Sequence, residues 1–259
     1  MDAEGGFPPL SGRGSGKATG LLAVALLVAL WKLGAMATGA DIILPPPEKV
    51  LASFLRLFGS AGFLRALGAT ALRGLAAFAL SMLIGSVAGA LAGSSRFAAG
   101  LMAPAMTVIR ATPVMAIILL ALIWFPDGFV PVFSAVVMAF PVVMANVAAG
   151  IRAADPKLLQ MARLFGMGRG RAAMRIRLPS AMPHLVAGAG SALGLSWKVV
   201  VAGEALSQPR FALGAGMQAA RIMLETTEVF AWAAAGILLC ALSDACFNLL
   251  SRRLSWPTA

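Results

Sequence analysis

Four charged side chains, Arg110, Lys198, Glu204 and Asp244, stand within or at the ends of long apolar runs. Charge at the centre of a membrane helix costs about 2.5–3.5 kcal/mol, so each is a candidate for handling a charged solute. Lys198, in Ser196-Trp197-Lys198, can line a water-filled path and attract an anion. It can also pair with Asp244 or snorkel, and that second reading is preferred. Arg110 can bind an anion at the inner end of a path or reach lipid phosphates, the lipid being the preferred partner. Glu204, six residues beyond Lys198, is too far round a helix for an i, i+4 pair. It reads as an interfacial acid, ahead of a gate at the outer mouth or a contact for a delivery protein.

Catalysis is not expected. The sequence contains no G-x-x-x-x-G-K-[ST], and no Ser/His/Asp or paired-carboxylate set lies in a water-exposed segment, so this chain does not hydrolyse ATP itself. His184, the only histidine, has no clustered partner and is assigned no role, and no metal site is expected. Cys240 and Cys246 would face roughly opposite sides of one helix, which leaves them as buried thiols rather than a disulfide.

The longest polar interruption, DPKLLQMARLFGMGRGRAAMRIRLPSAMP over 155–183, carries a different kind of information. Between Arg152 and Arg177 it holds seven Lys or Arg residues against one acid, Asp155, with apolar runs on both sides, which places it on the cytoplasmic face. Asp155-Pro156 reads as an N-cap and a first helical proline, and Leu158, Met161, Ala162 and Phe165 follow at i, i+3, i+4, i+7. Gly166 and Gly168 can end that helix in a left-handed turn, and Gly170 to Ile176 can form a second, basic helix that Pro179 stops.

This elbow resembles the EAA loop of ABC importer permeases, whose pattern is E-A-A, three residues, Gly, nine residues, Ile, one residue, Leu-Pro. Gln160, Met161 and Ala162 stand at the first three positions, followed by Arg163, and Gly166, Ile176, Leu178 and Pro179 keep the spacing. Two of the three naming letters differ. The resemblance implies that these eight residues couple the chain to an ATPase subunit, the loop forming a coupling helix in that subunit's cleft. Arg110 to Pro113, Trp124-Phe125, Phe140-Pro141 and Asn146 to Gly150 resemble the nitrate/sulfonate/taurine branch of these permeases. The likeness covers about residues 19–255.

Composition sets the elements that must carry these residues. A chain of 259 residues that is 60% hydrophobic and 12% charged, with mean hydropathy +0.89, is an all-α integral membrane protein. Its net charge of +11 follows the positive-inside rule rather than nucleic-acid binding. Residues 1–18 read as a disordered cytoplasmic tail, 19–255 as one permease domain with the coupling loop at 152–183, and 256–259 as a C-terminal tail. Six spans are expected, near 19–38, 66–93, 102–124, 130–150, 184–203 and 229–250, with the loop between the fourth and fifth. The first can be a cleaved signal peptide, but Trp31 and Lys32 interrupt the approach to the cleavage site, and a retained span is preferred. An interfacial outer helix is expected within 41–63, kinks are expected at Pro104 and Pro113, and Gly85, Gly89 and Gly93 form either a close-packing ridge or merely common membrane glycines. Basic residues collect in the inner loops, so both termini are expected inside a bacterial cytoplasmic membrane.

What the resemblance implies is a permease subunit, working as a homodimer with two ATP-binding subunits and an extracytoplasmic substrate-binding protein. ATP and Mg²⁺ belong to the partner, and the substrate is a small anion of the nitrate, sulfonate or taurine type. Arg110, Lys198 and Glu204 are its path candidates. A lipid-binding scaffold or an ion-gradient-driven secondary transporter are the alternatives, and the second would call for an inverted repeat that is not evident.

Overall fold

The computed structural model describes residues 15–254, and every element among them is helical. The expected tails fall largely outside this range, although the first helix already begins at Ser15. In order, the helices are α1 (Ser15–Thr38), α2 (Pro47–Phe58), α3 (Ala61–Ser94), α4 (Arg96–Ala111), α5 (Val114–Trp124) and α6 (Val130–Arg152). They continue with α7 (Pro156–Leu164), α8 (Arg169–Ala172), a π-helical turn (Ala173–Arg177), α9 (Leu178–Ser207), α10 (Leu213–Ile222) and α11 (Thr226–Leu254). Five stretches are long and apolar enough to span a membrane, and the bent pair α4–α5 makes a sixth.

The core is α6 wedged between α3 and α9. Glycine makes this possible on the α3 side: a Cβ at Gly85 would lie 2.6 Å from Val143 Cβ, and one at Gly89 would lie 2.7 Å from the Met144 carbonyl oxygen. The glycine ridge is thus a true packing seam, along which two backbones approach closely. On the α9 side, Gly150 meets Ala181 and Gly188 meets Asn146 in the same way.

Prolines act according to position. Pro113 holds Thr112 extended (ψ 126°) and separates α4 from α5 at 99°, whereas Pro104 sits inside α4 without ending it. Pro179 departs from expectation. Rather than stopping a separate basic helix, it lies within a helical run that continues from 170 to 207. The π turn before it widens the spiral, with Leu178 N–H donating to the Ala173 carbonyl, and this makes room for a ring that would otherwise clash with the preceding turn.

The stretch between α9 and α11, which carries Gly214 and Gly216, forms a helix of its own, α10. Packing explains it: a Cβ at Gly214 would meet the Val201 carbonyl oxygen at 2.3 Å, and one at Gly216 would meet the Trp232 ring at 2.6 Å. The glycines let a helix lie tightly against α9 and α11. The expected interfacial helix is present as α2, with Pro47 at its first turn and Val50 and Ser53 turned inward.

Candidate functional site

The elbow between α6 and α9 is built from local chemistry. The Asp155 carboxylate accepts from Lys157 N–H at 2.8 Å and caps α7. At the other end Gly166 takes φ +69°, Met167 N–H donates to the Ala162 carbonyl at 2.8 Å, and Gly166 N–H donates to the Arg163 carbonyl at 3.0 Å. These two bonds form a Schellman motif, which needs the left-handed residue that glycine supplies. Between the caps, Ala162 is the one fully buried side chain, while Gln160 and Arg163 are exposed. Three apolar residues at the end of α7 and its cap do not pack on their own bundle: Met161 is half exposed, and Leu164 and Phe165 are 87% and 81% exposed. Ile176 lies in the π turn, half-buried, and Leu178 and Pro179 open α9 beyond it.

The charged candidates sit in three separate places. Arg110 stands at the α4–α5 break. Its Nη2 donates to the Pro141 carbonyl at 3.0 Å, and the side chain lines a cavity of about 360 Å³ with Met138, Asn146 and Leu195. The residue is exposed overall, with this one N–H engaged by α6.

Glu204 is not an interfacial acid. It is completely buried, and its carboxylate accepts from Thr70 Oγ1 at 2.9 Å, Arg73 Nη1 at 2.8 Å and Gly214 N–H at 3.2 Å. Thr70 Oγ1 in turn accepts from Leu213 N–H at 3.0 Å, and Arg73 Nη1 also donates to the Phe211 carbonyl at 2.8 Å. One carboxylate therefore ties α3, α9 and the start of α10 together, and burial is tolerable because every oxygen is bonded. Sequence reasoning missed Thr70 and Arg73. An arginine three residues after a threonine within the expected second span, 66–93, was the available signal.

Lys198 is exposed on α9, and the pairing expected with Asp244 is not formed: neither takes part in an ion pair among the described residues. The cysteines are likewise not the buried thiols expected, since Cys240 is half-buried and Cys246 exposed. His184 packs beside Gly150, and no group of three metal-ligating side chains occurs among the described residues.

Comparison with known proteins bears on these features together. Residues 81–256 match the family described as binding-protein-dependent transport system inner membrane component. The chain is 29% identical to the taurine transport system permease protein TauC of Escherichia coli (strain K12), over 91% of this chain and 87% of that protein. It is 30% identical to the putative aliphatic sulfonates transport permease protein SsuC of Bacillus subtilis (strain 168), over 91% of this chain and 86% of that one. Among solved structures, a chain of a bacterial ABC transporter involved in import of the acidic polysaccharide alginate superposes with TM-score 0.63 at 18% identity. That match covers 91% of this chain and 96% of the other.

Proposed function

This chain belongs to the family of binding-protein-dependent transport system inner membrane components, and on that premise we propose that two copies form the membrane path of an ABC importer for small anions. As a permease subunit it is a transport component rather than an enzyme, and it needs no cofactor of its own. ATP and Mg²⁺ belong to the partner ATPase. In this reading one ATPase subunit grips residues 155–179 of each copy, and a substrate-binding protein delivers cargo at the opposite end.

The observation that carries the coupling role is the stranded apolar face of α7. Met161, Leu164 and Phe165 are exposed although both ends of the helix are fixed by caps. Water-exposed apolar side chains on a short, rigidly capped helix fit the cleft of a second protein better than free solvent. Gln160, Met161, Ala162, Arg163 and Gly166 form this handle. Ile176, Leu178 and Pro179 join it to α9 in a run from 170 to 207 that no loop interrupts. At 1.5 Å per residue that rod is about 55 Å long, enough to carry a push at the elbow to Glu204 at the far end.

The anion preference is supported by Arg110, Lys198 and the sulfonate and taurine names of the relatives. In the full complex, Leu164→Asp with Phe165→Asp should abolish co-purification of the ATPase while the chain still inserts. Undiminished ATPase retention, with weaker binding to anionic vesicles, would favour the lipid scaffold instead.

A further inference from the structure

Lys198 and Asp244 bear opposite charges on neighbouring spans and stand apart, each without an ion-pair partner among the described residues. The helices that carry them run antiparallel, with Gly236 beside Val201 toward one end and Gly190 beside Phe247 toward the other. At 100° per residue, Cys240 and Asp244 fall on one side of that contact line on α11, and Ser191, Gly194 and Lys198 fall on the same side of α9. Cys240 accordingly lies within electrostatic reach of both Asp244 and Lys198. The floor between them is open: Ser191 is exposed, and a Cβ at Gly194 would meet nothing within 4 Å.

Two charges of opposite sign in a membrane interior gain most by closing on each other. A pair left unjoined along one exposed helix-helix groove presents a positive and a negative pole to whatever meets it. We infer that the groove where α9 packs on α11 is a transit site for zwitterionic solutes, with Lys198 receiving a sulfonate or carboxylate group and Asp244 a protonated amine. This rests on the permease reading above and narrows its anion class to solutes that also carry a cationic end. The Arg110 cavity borders this face through Leu195, one turn from both Ser191 and Lys198, and the inference assigns Arg110 no role.

The native Cys240 gives a direct readout. In the purified complete transporter, with Cys246→Ser to isolate it, alkylation of Cys240 by a small water-soluble maleimide is timed with taurine or with ethanesulfonate, which lacks the amine. Taurine should slow alkylation several-fold and ethanesulfonate much less. Asp244→Asn should remove the difference, and Lys198→Met should remove protection by both. Equal protection by the two solutes, no protection by either, or a Cys240 that never reacts would overturn the inference. So would recovery of protection when Lys198→Met and Asp244→Asn are combined, since charges that serve only each other can be lost together. Loss of the ATPase from the unaltered complex would instead strike the permease reading, and co-purification reports it separately.

Discussion

Glu204 shows how one residue can change meaning between sequence and fold. Its carboxylate accepts from three donors on two other helices at once, so removing it strands the Arg73 guanidinium, whose side chain is only 17% exposed, and the Thr70 hydroxyl. Breaking a buried ion pair from one side costs about 3–5 kcal/mol. Glu204→Ala should therefore lower the thermal aggregation midpoint of the detergent-solubilised chain strongly. Glu204→Gln, which keeps an acceptor toward Thr70 and Arg73, should lower it less. Gly166 tests the other end of the molecule. Its φ of +69° disfavours L side chains by about 1–2 kcal/mol, although nothing lies within 4 Å to clash. Gly166→Val should weaken ATPase co-purification without loss of membrane insertion, and Gly166→Asn, which tolerates the left-handed region, should restore most of it. The elbow's caps were readable beforehand because Asp155, Pro156 and Gly166 act on their immediate neighbours. The Glu204 cluster was not, because its partners Thr70 and Arg73 lie 134 and 131 residues away.

At the scale of elements, the α3–α6 seam decides whether the core closes. A Cβ at Gly89 would lie 2.7 Å from the Met144 carbonyl oxygen and from Val147 Cβ, whereas one at Gly68 on the same helix would meet nothing within 4 Å. Overpacking such a contact costs about 1–3 kcal/mol and commonly more where backbone is struck. Gly89→Leu should thus sharply reduce the yield of folded protein in size-exclusion profiles, and Gly68→Leu should leave it unchanged. Glycine content alone could not tell these positions apart, since only the facing helix distinguishes them. The same holds for α10, where Gly214 and Gly216 serve close packing on Val201 and Trp232. It holds too for the basic run before Pro179, where a π turn absorbed a proline that local rules took for a stop.

Across the whole molecule, charge is arranged differently at its two ends. The ion pairs among the described residues, Lys32–Glu48, Lys49–Asp41, Arg56–Glu228 and Arg73–Glu204, all lie at the end remote from α7. The elbow's seven basic residues face a single acid, Asp155. One end is thereby largely neutralised and the other left strongly positive, and under the positive-inside rule this contrast supports the proposed cytoplasmic placement of the elbow. Alkaline phosphatase inserted after Asp127 should be active, and the same enzyme fused after Ala259 should be silent; the reverse pattern would invert the proposed topology. Hydropathy, helix caps and the Gly-Ile-Leu-Pro spacing made the membrane class, the helical architecture and the capped helix of the elbow legible in the sequence alone, because each depends on residues within a few turns of one another. Only the tertiary structure decided that Glu204 is a buried clasp, that Arg110 bonds the Pro141 carbonyl of α6 and that Lys198 and Asp244 are not paired. Those outcomes depend on how each helix is rotated against its neighbours, and that rotation is set by packing between segments far apart in the chain.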